Sequence, residues 1–206
     1  MAEDVLRRYT QLPSLIYMLR EKKLTLLNPS SWDDKNDSYF LEQYKSKRKL
    51  KTVLALCFST ARETYHHWNI FAGGSAGVCI QFKRDGLLEA IKGWEGVHHK
   101  EVSYLRIDEN RRLKVKELPF TKRFPFQDES ELRIIYESKA QKKSTHDVEI
   151  PLSSISRINL SPWLPELLKE HVKKTLCTIK DCSELNIARS TLISNERWKR
   201  MGEEAT

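Results

Sequence analysis

The sequence is poor in metal-binding and membrane-crossing signals. Its four cysteines, Cys57, Cys79, Cys177 and Cys182, form no C-x-x-C pair, so the usual zinc and dithiol spacings are missing. Cys57 and Cys79 sit inside apolar runs and read as small buried hydrophobes of a reduced, cytoplasmic protein. His66-His67 and His98-His99 are adjacent pairs whose rings diverge on a helix or a strand, so no metal is expected. No apolar run approaches the roughly 20 residues of a membrane span. The opening MAEDVLRRYT holds no apolar leader segment, so neither secretion nor a membrane partner is expected. Internal repeats, low-complexity tracts and linkers are absent too. What the sequence has in quantity is charge. Of 206 residues, 31% are charged and 39% hydrophobic, and the formal net charge is +8. That is enough apolar material, spread along the chain, for one folded domain. The positive balance favours an anionic partner without identifying it. Its densest patch is Lys45, Lys47, Arg48, Lys49 and Lys51, which reads either as a solvated helix face or loop or as a nucleic-acid contact.

Local patterning gives an element order. Pro13 opens a helix over residues 14–23 and a short strand follows at 24–27. Residues 28–34 are a loop of turn-formers anchored by Trp32. Residues 53–58 form a continuous apolar run, read as a buried central strand ending at Ser59-Thr60. A helix over 63–71 stops at Gly73-Gly74, and 77–82 is a second buried strand. A short helix from Asp85 and a strand over 97–104 come next, then a charged excursion over 106–116. Strands over 148–150 and 155–160 precede a long helix expected from Pro162 through Leu164, Leu167, Leu168, Val172 and Leu176. Residues 187–193 are a last short strand or turn, and 195–206 are expected as a frayed tail. The whole reads as a single α+β domain over 1–206, with strands dominating its second half.

The segment Lys122 to Tyr136 concentrates the chemistry. Leu132, Ile134 and Tyr136 alternate with Glu131, Arg133 and Ile135, as a strand with one apolar face does. On an extended backbone Glu129, Glu131 and Arg133 point to one side. They form either a charged outer face or an active-site edge where like charges shift each other's pKa.

The motifs together resemble the bacterial domain-of-unknown-function family twenty-nine seventy-one. The resemblance rests on Arg8-Tyr9-Thr10, on Asn28-Pro29-Ser30-Ser31-Trp32-Asp33-Asp34 with Asp37, and on Cys57-Phe58-Ser59. It continues through Trp68, Phe71-Ala72 and Gly77-Val78-Cys79-Ile80 to Lys122, Phe126, Glu129, Glu131 and Arg133, and closes on Ile187-Ala188-Arg189-Ser190. The family usually carries Trp at Phe126 and often His-Tyr at Ile70-Phe71. More distantly the chain is similar to ADP-ribosyltransferases, which implies a split antiparallel β-sandwich with flanking helices. It also implies NAD⁺ as the substrate, cleaved at its nicotinamide–ribose bond. On that resemblance Glu131 stabilises the oxocarbenium-like centre and Glu129 orients or deprotonates the acceptor. Arg8, Tyr9, Ser59, Thr60, Trp68 and Phe71 would line the NAD⁺ site. The acceptor would be a nucleic acid, a protein or water, in a phage-defence or toxin–antitoxin setting with a cognate regulator. Two alternatives remain at this stage. One is a nucleic-acid-binding module, or a Mg²⁺ nuclease using Asp33, Asp34 and Asp37 with Glu129 or Glu131. The other is a non-catalytic sensor or antitoxin-like partner on the same scaffold.

Overall fold

The computed structural model describes residues 4–109 and 112–205. Residues 1–3, residue 206 and positions 110 and 111 of the charged excursion lie outside them. In chain order, β1 (Val5–Gln11) leads into α1 (Leu12–Glu21), β2 (Lys23–Leu27), α2 (Lys35–Arg48) and β3 (Thr52–Ser59). Then come α3 (Tyr65–His67), which runs on into a π-helical turn over Trp68–Ala72, β4 (Gly77–Lys83) and α4 (Arg84–Ile91). The second half holds β5 (Val97–Glu101), β6 (Ser103–Leu105), β7 (Thr121–Arg123), β8 (Glu131–Ser138) and β9 (Thr145–Glu149). β10 (Ile155–Leu160), α5 (Glu166–Cys177), β11 (Ile187–Arg189) and α6 (Glu196–Glu203) complete this α+β chain.

Nine strands join in the order β11-β10-β4-β1-β3-β2-β9, with β8 also on β3 and β5 on β8. β3 and β8 pair along their whole length, from Thr52↔Ser138 to Ser59↔Glu131. β1 meets β3 only at Arg7↔Ser59, and β2 meets β3 only at Leu27↔Ala55. The sheet is therefore split into blocks hinged on β3. All pairs in it are antiparallel except β10–β11.

The split lets one core be shared between blocks. Leu6, Ile80 and Phe82 from one side meet Leu54, Leu56, Phe58, Leu132 and Ile134 from the other. Phe58 and Phe82 touch edge to face at 5.8 Å. Each such buried side chain contributes about 1.5–3 kcal/mol relative to exposure. Period-two alternation sends the intervening residues outward. Val53, Ala55 and Ile135 pack there under Leu41 and Tyr44 of α2. Tyr9 and Cys79 pack under Trp68 and Ala72. Between these two small apolar clusters the outward face is polar.

Several elements differ from the patterning. The run Lys45–Lys51 closes a helix, α2, that the sequence hides because its two buried apolar anchors, Leu41 and Tyr44, are few. The Asp34 carboxylate caps it by accepting from the Asn36 and Asp37 amides. The long helix begins after Pro165 rather than at Pro162, because a proline keeps the residue before it out of helical geometry. Within it Leu167 and Leu168, expected on the apolar face, are exposed. Residues 195–206, expected as a frayed tail, carry α6, where Asn195 caps the Trp198 amide.

Candidate active site

The polar stretch of the outward face is built on the Lys122–Tyr136 segment. Arg133, fully buried, points from β8 toward α2 and grips Asp37 through Nη1 and Nη2 at 2.8 and 2.6 Å. Its Nε and Nη2 also donate to Glu131 at 2.6 and 3.0 Å. The Trp32 ring lies 5.0 Å from the guanidinium, a cation–π contact through which this residue anchors its loop. Lys122 of β7 reaches three carboxylates: Glu129 at 2.5 Å, Glu131 at 3.4 Å and Asp37 at 3.6 Å. The motif residues shared with the resemblance thus form one ion-pair network. Neither a solvated face nor an isolated carboxylate pair describes it.

The network is graded from inside to outside. Side-chain exposure is 0% for Arg133, 1% for Asp37, 4% for Glu131, 8% for Lys122 and 18% for Glu129. Burial alone would raise the Glu131 carboxyl, but Arg133 and Lys122 outweigh it and hold it at about 2. At Glu129 burial prevails over Lys122 and the carboxyl is raised. Burial likewise raises Asp37 against the pull of Arg133. Three carboxylates face two cations, so with all five ionised the cluster carries one surplus negative charge. Glu129 is its outermost member.

Glu129 reaches Lys122 by a backbone device. It ends a 3-10 helix, and Ser130 follows in the left-handed region with φ 43°. Strand parity between Glu129 and Glu131 therefore does not apply, although Lys122 gathers both. The Ser130 carbonyl accepts from the Thr60 amide and hydroxyl at 2.8 and 2.9 Å, so the ends of β3 and β8 are tied where the two carboxylates sit.

A lateral row crosses the split. Arg7, Ser59 and Glu131 are register partners on β1, β3 and β8 and so share one face. Arg7 donates to the Ala61 carbonyl at 2.8 Å, while its Nε is buried without a partner. Ser59 Oγ accepts from the Ala61 amide and turns the chain at the strand end. Arg8 has the parity of Leu6, on the core side, and is half-buried. Its guanidinium donates to the Cys57 carbonyl at 3.3 Å, in the opening where β1 and β3 part. Burial lowers its pKa. The row thus takes Arg7; Arg8, expected in the site with Ser59, belongs to the opposite face of β1.

Beside the row stands an aromatic group. Tyr9 and His67 rings lie 5.5 Å apart, and Phe71 stacks on His67 at 5.9 Å. Phe71 is exposed at 39%, whereas Trp68 is fully buried. Trp68 packs in the core and donates Nε1 to Glu63 at 2.6 Å; Ser190, closing the Ile187–Ser190 motif, donates its hydroxyl to the same carboxylate. The Tyr9 hydroxyl faces the Cys79 thiol, and His67 Nε2 lies 3.0 Å from the Asp128 carbonyl. Gly77 opens β4 because a Cβ there would meet the Ala72 carbonyl at 2.8 Å, so the π-turn can lie close on the sheet. His67 and Arg7 were missed by sequence reasoning. Arg7 depends on strand register and His67 on how α3 packs against Tyr9 of β1, neither of which one sequence displays.

The remaining candidates fall elsewhere. Asp34 is spent on capping and Asp33 is exposed. Asp37 is joined to Glu131 through Arg133 and Lys122. Among the described residues, no group of three or more His, Cys, Asp or Glu is arranged to hold a metal. Arg48 pairs with Glu137 at 3.3 Å, Lys49 takes the left-handed cap of α2, and Lys47 is exposed. Among the described residues, no helix is long and apolar enough to cross a membrane.

Neither a family model nor a curated protein sequence matches the chain. Among solved structures, it is similar to Thermus sp. 2.9 DarT in complex with carba-NAD⁺, at 14% identity and TM-score 0.49, covering 92% of this chain and 97% of that one. The same protein in complex with NAD⁺ gives 13% identity and TM-score 0.49, over 92% and 96%. In complex with ADP-ribosylated ssDNA it gives 12% identity and TM-score 0.49, over 92% and 95%.

Proposed function

We propose that the Arg7–Ser59–Glu131 row, with Glu129 at its rim, is the active centre of an NAD⁺-consuming ADP-ribosyltransferase. The observation that carries the reading is the gathering of three carboxylates around two cations, with the outermost carboxylate, Glu129, standing where β3 ends and β8 begins. Cleavage of the nicotinamide–ribose bond sends its electron pair to the departing nicotinamide and neutralises the pyridinium. Positive charge develops at the ribose carbon, as in glycoside cleavage. A carboxylate fixed beside that carbon stabilises it without reorganising. The acceptor oxygen or nitrogen then bonds to the ribose carbon and passes its proton to a carboxylate.

The roles follow exposure. Glu129 faces the reacting carbon or the acceptor. Glu131 acts through Lys122 as a positioning residue, because both its oxygens are engaged inside the network. Phe71, the exposed member of the aromatic group, offers a ring face to the nicotinamide with His67 and Tyr9 packed behind it, and the Arg7 guanidinium suits a phosphate or ribose oxygen. The toxin or phage-defence setting and a cognate regulator are the parts of this proposal that rest on the resemblance alone. The test is nicotinamide release from NAD⁺ by the purified protein, with cell lysate as the acceptor source. Release is expected; none under any acceptor condition would remove the transferase reading.

A further inference from the structure

A cavity of about 450 Å³ opens beside α2. It sits at the start of β3, seven residue steps from Ser59, or roughly 20 Å along an extended strand. Lys35, Lys45, Lys51, Lys142 and Lys143 line it, and Glu42 is the one carboxylate in its lining. These lysines come from three segments that the fold fastens together. The Thr52 hydroxyl donates to the Gln141 carbonyl at 2.7 Å and accepts from the Lys143 amide at 2.9 Å. That pins the turn carrying Lys142 and Lys143 to the head of β3.

Only Lys45 has a carboxylate partner in the lining, Glu42 at 3.4 Å. Lys35 donates to the Trp32 carbonyl at 2.8 Å and Lys51 to the Ala140 carbonyl at 3.2 Å. Lys143 lies 3.4 Å from His146 Nδ1 and over the Tyr136 ring. Burial and Lys143 lower the His146 pKa. Neutral partners fix these ammonium groups without cancelling them. Like charges held around one concavity repel, and a multiply charged anion relieves that repulsion. Tyr39, 60% exposed, belongs to the same lining and offers a stacking face. The volume suits a small polar ligand.

We propose that this cavity binds nucleotide phosphates, with the base stacked on Tyr39. The phosphates could belong to a free nucleotide or to a nucleic-acid strand. The inference does not depend on the NAD⁺ reading, since the cavity shares no residue with the Arg7–Ser59–Glu131 row.

The test titrates the full chain at low salt with ATP, inorganic tripolyphosphate and a short labelled oligothymidylate. Lys35→Glu/Lys51→Glu/Lys142→Glu is compared with a control triple, Lys47→Glu/Lys174→Glu/Lys180→Glu, exposed lysines outside the cavity. The cavity triple is expected to weaken binding by about tenfold or more and to flatten its salt dependence, with the control close to wild type. Tyr39→Ala should weaken ATP and the oligonucleotide but spare tripolyphosphate. Tighter binding of ATP assigns a free nucleotide, and tighter binding of the oligonucleotide assigns a strand. Equal loss in both triples, or no binding of any probe by wild type, would overturn the proposal. If the glutamate triple fails to melt cooperatively, the alanine triple at the same positions is read in its place.

Discussion

Replacing Glu131 by Gln tests the buried network at its centre. The side chain keeps its size and one acceptor. Its new amide N–H group must face Arg133 or Lys122, both donors, and Arg133 loses a charge partner while remaining fully buried. Breaking a buried pair from one side costs about 3–5 kcal/mol. Lowering a carboxyl from an ordinary 4.5 to about 2 corresponds to roughly 3 kcal/mol at neutral pH. For a chain of this size each kcal/mol shifts Tm by about 2–4 °C, so the variant should melt about 6–20 °C below wild type at pH 7. The sign with pH follows from the depressed pKa. Glu131's contribution is present above its unfolded value near 4.5 and is lost as pH falls toward 2. Asp37 and Glu129, being raised, act in the opposite sense. Both are raised in part by the charge of Glu131 itself, so its removal relieves them and trims the gap at pH 7 without reversing its sign. The gap in urea midpoint between wild type and Glu131→Gln should therefore close as pH drops below 4.5. Equal melting at pH 7, or a gap independent of pH, would refute the buried-network account.

Two further substitutions probe how the site is held. Ser130→Gly relieves a left-handed residue at φ 43° and gives up only a 3.4 Å contact to the Gln127 carbonyl; the urea midpoint should hold or rise, by up to about 1 kcal/mol, and a clear fall would show that the serine itself is needed. Gly77→Ala puts a Cβ at 2.8 Å from the Ala72 carbonyl and should destabilise by about 1–3 kcal/mol, a loss checked by thermal melting; a wild-type melting curve would mean that the π-turn gives way freely.

Much of the fold was legible because burial writes itself into period and run length. The apolar stretch Val53–Phe58 had to be a central strand, and it became β3, the hinge of all the blocks. The site was legible only as a set of motifs. Glu131 and Arg133 announced a charged strand face, but their burial depends on Asp37, 96 positions from Arg133. It also depends on α2, whose polar composition concealed a helix. Whether Arg7 or Arg8 joins Ser59 turns on a single bridge between β1 and β3, and a one-residue change of register exchanges them. The same motifs that suggested catalysis therefore also turn out to fasten β8, α2 and β7 together.

The most direct measurement of the central claim is the rate of nicotinamide release from NAD⁺ by wild type and Glu129→Gln, with kcat and KM separated. Glu129 is the rim carboxylate, 18% exposed, and Gln can still accept from Lys122, so the variant should melt close to wild type. A carboxylate that acts on a developing positive charge works mainly in the transition state. Its loss is on the order of 3–4 kcal/mol, a fall in kcat of about a hundredfold or more with KM little changed. Release by Glu129→Gln at the wild-type kcat would contradict the assignment of Glu129 to the reacting centre.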